Sequence, residues 1–368
     1  MTVAFPQKPI EQVAPWIGEE EKRAIAAYLD GGGWLTEFER TRQLEQMIAQ
    51  QVGSKHAVMV TSGTTALFCA LASCGIGPGD EVLVPDFTMI ATANAVLLAG
   101  AKPVFVDVNP ANLCLDLEAA EGAITKRTRA ILLVSLNGRA PDMRRAMDLA
   151  RRRSLQLIED AAQSFGSLHQ GKHLGTFGAA GIFSFSPLKI ITTGQGGAVV
   201  TDNPELAARV RQLKDFGRSR GGIDFHGSIG YNFKFTDLQA VIGIEQMKKL
   251  AWRLQRKKEM FALYRSELEG RAPVRFIDTD LSEATPWFMD VLVERREALA
   301  SALANSGIKT RPFYPPVHSQ PAYALRGSYP VTEDVAARGL WLPSSAFLTD
   351  EDVRRVCEAI RGFFGKQE

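Results

Sequence analysis

Short apolar runs alternate with helical stretches over much of this chain, and this alternation constrains its fold more than any other feature. His56–Val60, Glu81–Pro85 and Pro103–Val108 are apolar throughout rather than at every second position. Strands whose two faces are both covered by helices have this composition. We therefore predict an α/β fold, with a mostly parallel wound sheet and helices on both faces. Further strands are expected at 130–135, 155–160, 181–186 and 197–201.

A chain of 368 residues is long enough for a large domain and a smaller one. Helical periodicity dominates from about Thr236 to Glu269, and we expect this long helix to end the large domain. The remainder mixes short strands, such as Trp287–Val293, with helices, which predicts a smaller C-terminal α+β domain. The predicted division is an N-terminal segment 1–30 packing on the small domain, a large domain 31–269 and a small domain 270–368.

Composition excludes several classes of protein. The formal net charge of +2 argues against a nucleic-acid-binding protein, which usually carries a marked basic excess. No apolar run approaches the roughly 20 residues that span a membrane. The four cysteines include no CxxC pair, and Met1–Glu20 lacks the pattern of a secretory signal. These features favour a cytoplasmic enzyme in a reducing compartment.

Ligands of wound parallel sheets bind beyond the carboxyl ends of the strands. The first candidate site there is the segment TSGTT at 61–65, between a predicted strand and a helix. Gly63 allows a tight turn, and the start of the helix offers free N–H groups and a positive dipole end. This combination suits a phosphate group. The alternative is an ordinary Ser/Thr cap of the helix.

The second candidate is Asp160, at the end of the predicted strand LQLIED. A buried carboxylate needs a partner, and three partners are open: a helix N-terminus, a metal ion or a protonated ring nitrogen. No histidine or second acid lies at convincing metal-ligand spacing, so we predict no metal.

The third candidate is Lys189, in the segment FSFSPLKIITTGQGG at 183–197. Its neighbours Leu188 and Ile190 are apolar, and desolvation would lower the pKa of the amine and make it nucleophilic. Most lysines are solvated surface residues, which is the alternative here. Ser184 and Ser186 alternate on the preceding strand and could face a phosphate. A phosphate cup, an acid and an amine are together the parts of a pyridoxal phosphate site.

Five motifs in this order resemble the DegT/StrS-type sugar aminotransferases, which have the fold of aspartate aminotransferase. The resemblance covers nearly the whole chain, and it implies a pyridoxal-phosphate-dependent transferase of fold type I. The motifs are SGTTAL at 62–67, VPDFTMIATANAV at 84–96 followed by GAKPVFVDV at 100–108, IEDAAQSFGS at 158–167, FSFSPLKIITTGQGG at 183–197 and GYNFKFTDLQA at 230–240.

The resemblance also implies roles for individual residues. Lys189 would form the Schiff base with pyridoxal 5'-phosphate and shuttle the proton, and Asp160 would pair with the pyridine nitrogen. Gln163 would lie near the ring hydroxyl, and Asn232 would reach the phosphate from the neighbouring subunit of a homodimer. Met89 stands where the family usually stacks an aromatic ring. The implied phosphate contacts are Ser62, Gly63, Thr64 and Ser184.

Further stretches are similar to one branch of the family, the GDP-perosamine synthases; they are GGWLTEFERTRQLE, SLNGRAPDM, TPWFMDVLV and RPFYPPVHSQPAY. This branch implies that glutamate donates an amino group to a nucleotide-linked 4-keto-6-deoxy sugar. Two alternatives stay open: another acceptor, either a dTDP or UDP keto-sugar or a cyclitol, and a regulator that binds the cofactor without turnover. The regulator is considered because Met89, Gln195 and Ala179 depart from the family pattern. The candidate substrate contacts are Arg218, His226, Arg311, Tyr314 and His318.

Overall fold

A seven-stranded sheet forms the centre of the computed structural model, which describes residues 8–323 and 325–365. The order of its strands is β1-β9-β8-β5-β4-β2-β3, with β6 and β7 forming a separate hairpin. β9 runs antiparallel to β1 and β8, whereas the other neighbours are parallel, so the prediction of a mostly parallel sheet is confirmed. The strands are β1 His56–Val60, β2 Glu81–Pro85, β3 Lys102–Val106, β4 Thr128–Val134, β5 Gln156–Asp160, β6 Leu168–His169, β7 Lys172–His173, β8 Ala180–Ser184 and β9 Gly197–Thr201.

Helices cover both faces of this sheet, and β4 shows why its strands are apolar throughout. Ala130 and Leu132 pack in an apolar cluster with α3 and α4, whereas Ile131 and Leu133 pack in another cluster with α6. Successive side chains of a strand point to opposite faces, so both sets must be apolar. The helices of this part of the chain, as far as the one that follows β9, are α1 Glu19–Asp30, α2 Glu39–Val52, α3 Gly63–Ser73, α4 Ala91–Leu98, α5 Leu117–Gly122, α6 Met143–Arg153 and α7 Pro204–Lys214.

The single long helix predicted at 236–269 is wrong, because the structure divides this segment into α8 Asp237–Lys248 and α9 Leu250–Leu268. The amide of Lys249 bonds to the carbonyl of Gln246, three residues back, which tightens the turn between them. Because of this division, the two helices pack on different elements. α8 packs on α1 and α2, whereas α9 packs on α12, Asp350–Gly365, near the end of the chain.

The C-terminal part contains a four-stranded antiparallel sheet of order β10-β11-β13-β12. Ile10 pairs with Ile308 of this part, and the Gln12 side chain bonds to Ser344 at 3.1 Å, whereas α1 packs on α8. The division at residues 30 and 269 stays a proposal, and its ends at residues 1 and 368 lie outside the described residues. The elements are β10 Arg275–Phe276, β11 Met289–Leu292, α10 Arg296–Asn305, β12 Arg311–Pro312, α11 Pro330–Arg338, β13 Gly339–Leu342 and α12.

Candidate active site

A cavity of about 380 Å³ lies at the carboxyl ends of β5 and β8, beside the first turn of α3. This is the edge of the sheet at which the sequence predicts ligand binding. Of the predicted site residues, it brings together Ser62, Gly63, Thr64, Met89, Asp160, Gln163, Ser184, Lys189, Arg311 and Tyr314. Ser186, Gln195 and Trp287 also line it.

Lys189 lies on the connection between β8 and β9. Two backbone hydrogen bonds close this connection, from the Phe185 amide to the Gly196 carbonyl at 2.9 Å and from the Thr193 amide to the Phe185 carbonyl at 3.0 Å. Its Nζ lies 3.6 Å from the centre of the Trp287 ring. Burial lowers the pKa of this amine to about 7, although the charge of Asp160 opposes the change. A large fraction of the amine is therefore neutral near neutral pH, as a nucleophile requires.

Asp160 is the last residue of β5 and is buried. Its Oδ2 accepts a hydrogen bond from the Thr92 hydroxyl at 2.7 Å, and its Oδ1 accepts one from the Ala162 amide at 3.2 Å. Burial raises the pKa of the carboxyl, and these hydrogen bonds oppose the rise. Because both donors are neutral, the site leaves the charge of the carboxylate for a cationic group in the cavity.

The structure tests one of the alternatives for Asp160 directly, the helix cap. Turns, not a helix, follow it at residues 161–167, so the helix cap is wrong. Within the described ranges, no three side chains of His, Cys, Asp or Glu are placed to hold a metal ion.

The first turn of α3 combines a helix cap with an anion site. The Thr65 amide donates to the Ser62 hydroxyl at 3.1 Å, and the Ser62 amide donates to Thr65 Oγ1 at 2.9 Å. The cap, which the sequence left as the alternative, is therefore present at Ser62. The amides of Gly63 and Thr64 have no acceptor within the helix because no turn precedes them. Both residues line the cavity, so the cap and an anion can coexist.

Gln163 is buried and held by a residue that the sequence analysis did not single out. Its side-chain carbonyl accepts a hydrogen bond from the Asn137 amide at 3.1 Å. Asn137 has a left-handed backbone with φ 53°, which asparagine tolerates better than most residues. Its side chain bonds to the amide and the carbonyl of Phe288, at 2.6 and 2.8 Å. Asn137 thus connects Gln163 to the segment that carries Trp287.

Trp287 is the main site residue that sequence reasoning missed. Its indole Nε1 donates to the Leu188 carbonyl at 2.7 Å, and its ring covers the Lys189 amine. The stretch TPWFMDVLV is similar to one branch of the family, but nothing in the local sequence indicates that this tryptophan faces a lysine about one hundred residues earlier. Met89 also lines the cavity and is 45% exposed.

Arg311 and Tyr314 belong to the Pro-rich segment 311–321, which begins in the small sheet, and both line the cavity. The guanidinium of Arg311 lies 5.9 Å from the centre of the Tyr314 ring and 5.5 Å from that of Trp341. Arg311 is exposed and also lowers the pKa of Lys189 through its charge. It is therefore a cation available to an anionic substrate.

His318 lies outside this cavity. Its Nδ1 is 2.6 Å from Asp86 Oδ2, and its amide donates to Asp86 Oδ1 at 2.7 Å. These bonds dock the Pro-rich segment 311–321 on the end of β2. The structural role that the sequence left open for His318 is the one these contacts support.

Arg218, His226 and Asn232 also lie away from the cavity of their own chain. Arg218 pairs with Asp224 at 2.7 Å, and the His226 ring contacts the Phe216 carbonyl at 2.8 Å. Asn232 is exposed. The roles predicted for these three residues stay predictions.

The fold and this cavity, with an amine and a buried acid beside a helix N-terminus, define a pyridoxal-phosphate-type aminotransferase. The chain belongs to the DegT/DnrJ/EryC1/StrS aminotransferase family, whose sequence profile matches residues 15–361. It is 36% identical to the GDP-perosamine synthase of Escherichia coli O157:H7 over 361 residues, which cover 97% of this chain and 99% of that protein.

Solved structures agree with this assignment. The chain superimposes on DesV of S. venezuelae, solved in complex with a ketimine intermediate, with a TM-score of 0.90, 38% identity and 94% of each chain covered. Spr1654 from Streptococcus pneumoniae in its PMP form gives a TM-score of 0.92 at 26% identity, covering 97% of this chain and 98% of that one. The family and these neighbours indicate dependence on pyridoxal phosphate. No helix in the described part of the chain is both long and apolar enough to cross a membrane.

Proposed function

We propose that this sugar aminotransferase moves an amino group from glutamate to a GDP-linked 4-keto-6-deoxy sugar, with pyridoxal phosphate held in the cavity described above. The observation that carries the proposal is that the Lys189 amine, with a pKa lowered to about 7, shares one cavity with the buried Asp160. The similarity to a GDP-perosamine synthase over nearly the full length of both chains supports the choice of acceptor.

The residues of the cavity fit this cofactor. Asp160 would hold the protonated pyridine nitrogen, because its present hydrogen-bond donors are neutral and leave its negative charge for a cationic group. The amides of Gly63 and Thr64, with the hydroxyls of Ser62 and Ser184, would hold the phosphate. Gln163 would lie near the ring hydroxyl, and Met89 would pack on the ring through its thioether. When bound, the cofactor supplies an electron sink that stabilises negative charge on the substrate carbon.

Lys189 has two tasks in this proposal. It would hold the cofactor by its aldehyde group, and its amine would be free while the amino-acid substrate is bound. The free amine, which burial keeps largely neutral, would take a proton from the α-carbon of glutamate and pass it to the cofactor carbon that carried the aldehyde. The same amine works in the opposite direction when the keto-sugar accepts the amino group. Trp287, which covers the amine, limits the access of water to this proton.

A homodimer would complete the site. Phe225 and Ile229, in the segment between Arg218 and Asn232, are 68% and 81% exposed, and exposed apolar side chains of this size favour a protein contact. In a dimer, this segment would bring Asn232 to the phosphate of the partner's site and Arg218 and His226 to its substrate. Arg311 and Tyr314 would contact the substrate within the same chain.

A substrate screen tests the acceptor. Purified protein loaded with pyridoxal phosphate is incubated with glutamate and one of four acceptors: a GDP-, a dTDP- or a UDP-linked 4-keto-6-deoxy sugar, or a keto-cyclitol. We expect amino-sugar product and stoichiometric 2-oxoglutarate with the GDP-linked sugar, and none without glutamate. Faster turnover of another acceptor would contradict the proposed sugar nucleotide. Cofactor that glutamate does not convert even in a single turnover would instead indicate the regulator.

Gly63→Ala should weaken the binding of pyridoxal phosphate. A Cβ on Gly63 would lie 2.9 Å from the Ser184 Cβ, so one of the two phosphate-binding segments must move. Overpacking of this kind costs about 1–3 kcal/mol, or roughly a fivefold to 150-fold loss of affinity. Titration of cofactor-free protein with pyridoxal phosphate, followed by absorbance, measures the change. Gly122→Ala is the control because its added Cβ meets nothing within 4 Å; equal affinities of the two variants would contradict the proposed phosphate cup.

A further inference from the structure

Two buried basic side chains on α9 have no evident place in the chemistry above. Arg253 and Lys257 lie about one helical turn apart and are only 3% and 4% exposed. Burying a cation is costly unless its hydrogen bonds are well satisfied. Both side chains donate to backbone carbonyls, and these carbonyls belong to the segments that surround Lys189.

Lys257 holds the residue that covers the Lys189 amine. Its Nζ donates to the carbonyl of Trp287 at 2.7 Å and, in a short contact, to the carbonyl of Ser344. The ring of the same tryptophan lies 3.6 Å from the Lys189 Nζ. The backbone position of Trp287, and with it the cover over the amine, therefore depends on Lys257.

Arg253 holds the backbone that follows Lys189. Its guanidinium donates to the carbonyl of Ile190 at 2.9 Å and to the side-chain carbonyl of Gln246 at 2.6 Å. That same Gln246 oxygen accepts the amide of Thr192 at 3.3 Å. Two successive turns of one helix thus fix the chain after the reactive amine and the ring above it.

We infer that Arg253 and Lys257 are positioning residues, which set the place of the Lys189 amine and keep water from it without touching cofactor or substrate. The inference rests on the proposed role of Lys189. Without the Lys257 amine, the carbonyls of Trp287 and Ser344 lose this donor, and the indole is held against Lys189 less firmly, through its hydrogen bond to the Leu188 carbonyl. A displacement of about 1 Å in a catalytic group can cost roughly 10²-fold in rate.

The test compares Lys257→Gln with Lys258→Gln. The neighbouring Lys258 is only partly buried and makes a single 3.3 Å contact with the Ser282 carbonyl, so it controls for loss of a lysine on the same helix. Reductive methylation of the cofactor-free proteins over a range of pH, followed by peptide mass spectrometry, gives the pH midpoint at which Lys189 becomes reactive. Steady-state kinetics with both substrates gives kcat and KM.

In the wild type and in Lys258→Gln, we expect the labelling midpoint of Lys189 near its pKa of about 7. In Lys257→Gln, the midpoint should rise towards the ordinary lysine value because water reaches the amine. The kcat should fall about tenfold or more, with each KM changed less than about twofold. A folded Lys257→Gln protein with the kcat and the midpoint of the control would overturn the inference.

If Lys257→Gln does not fold, Arg253→Lys decides by the same two measurements, because it keeps the charge and shortens the reach to the Ile190 carbonyl. The proposed function fails separately: wild-type protein would then show no glutamate-dependent turnover. The labelling midpoints of the cofactor-free variants would still decide whether Arg253 and Lys257 position Lys189.

Discussion

Lys189→Ala should lose transamination by about 10⁴-fold or more, because the variant lacks both the amine that holds the cofactor and the group that moves the proton. The rate of cofactor conversion by glutamate in a single turnover measures this loss directly. Borohydride treatment of wild-type holoenzyme, followed by peptide mapping, should label Lys189, and the variant should give no labelled peptide.

Lys248→Ala is the matched control for this experiment. Lys248 is an exposed lysine that pairs with Glu245 at 2.6 Å, far from any role in the cavity. It should keep wild-type turnover and the wild-type label. Label on a lysine other than 189, or turnover by Lys189→Ala close to that of the control, would contradict the proposed mechanism.

An added small primary amine should restore part of the rate that Lys189→Ala loses, because it supplies a base in the space of the missing side chain.

Asp160→Asn should lower kcat by about 10²–10³-fold, the usual loss when one group that stabilises developing charge is removed. A neutral amide cannot hold the ring nitrogen of the cofactor in its protonated form, so the ring withdraws electrons less strongly. The fold should survive. The amide oxygen can still accept from the Ala162 amide, and the Thr92 hydroxyl, which also contacts Thr88 at 2.9 Å, can accept as well as donate.

Asp148→Asn provides the comparison, since Asp148 is a half-exposed acid that pairs with Arg151 and Arg152 on the surface of α6. Thermal unfolding of both variants measures stability, and the absorbance of the bound cofactor reports the environment of its ring. We expect an altered spectrum and a low kcat for Asp160→Asn alone. A wild-type spectrum with a wild-type kcat would remove Asp160 from the mechanism.

The alternation of apolar strands and helices predicted most of the central sheet, because a strand that is buried on both faces must be apolar at successive positions. The ends and the directions of individual strands were less predictable. The strand expected at 181–186 ends at Ser184, where the chain turns into the connection that carries Lys189. The antiparallel direction of β9 also escaped prediction, since apolar composition reports burial and not direction.

The division of α8 and α9 at Lys249 shows a second limit. The sequence from 236 to 269 contains no proline and only one glycine, Gly243, well inside α8, so local signals favour one continuous helix. The two halves separate because α8 packs on α1 and α2, whereas α9 packs on α12. Packing outweighs a local preference of this size.

The chemical groups of the site were determined by the sequence alone, because Gly63, Asp160 and Lys189 each follow or end a strand whose carboxyl end the pattern already places at one edge of the sheet. Their surroundings were decided only by the tertiary structure. Trp287, about one hundred residues later in the chain, covers Lys189, and Lys257, about seventy residues later, holds the Trp287 carbonyl; no local pattern indicates such contacts. Burial by these distant segments is what lowers the pKa of the Lys189 amine to about 7.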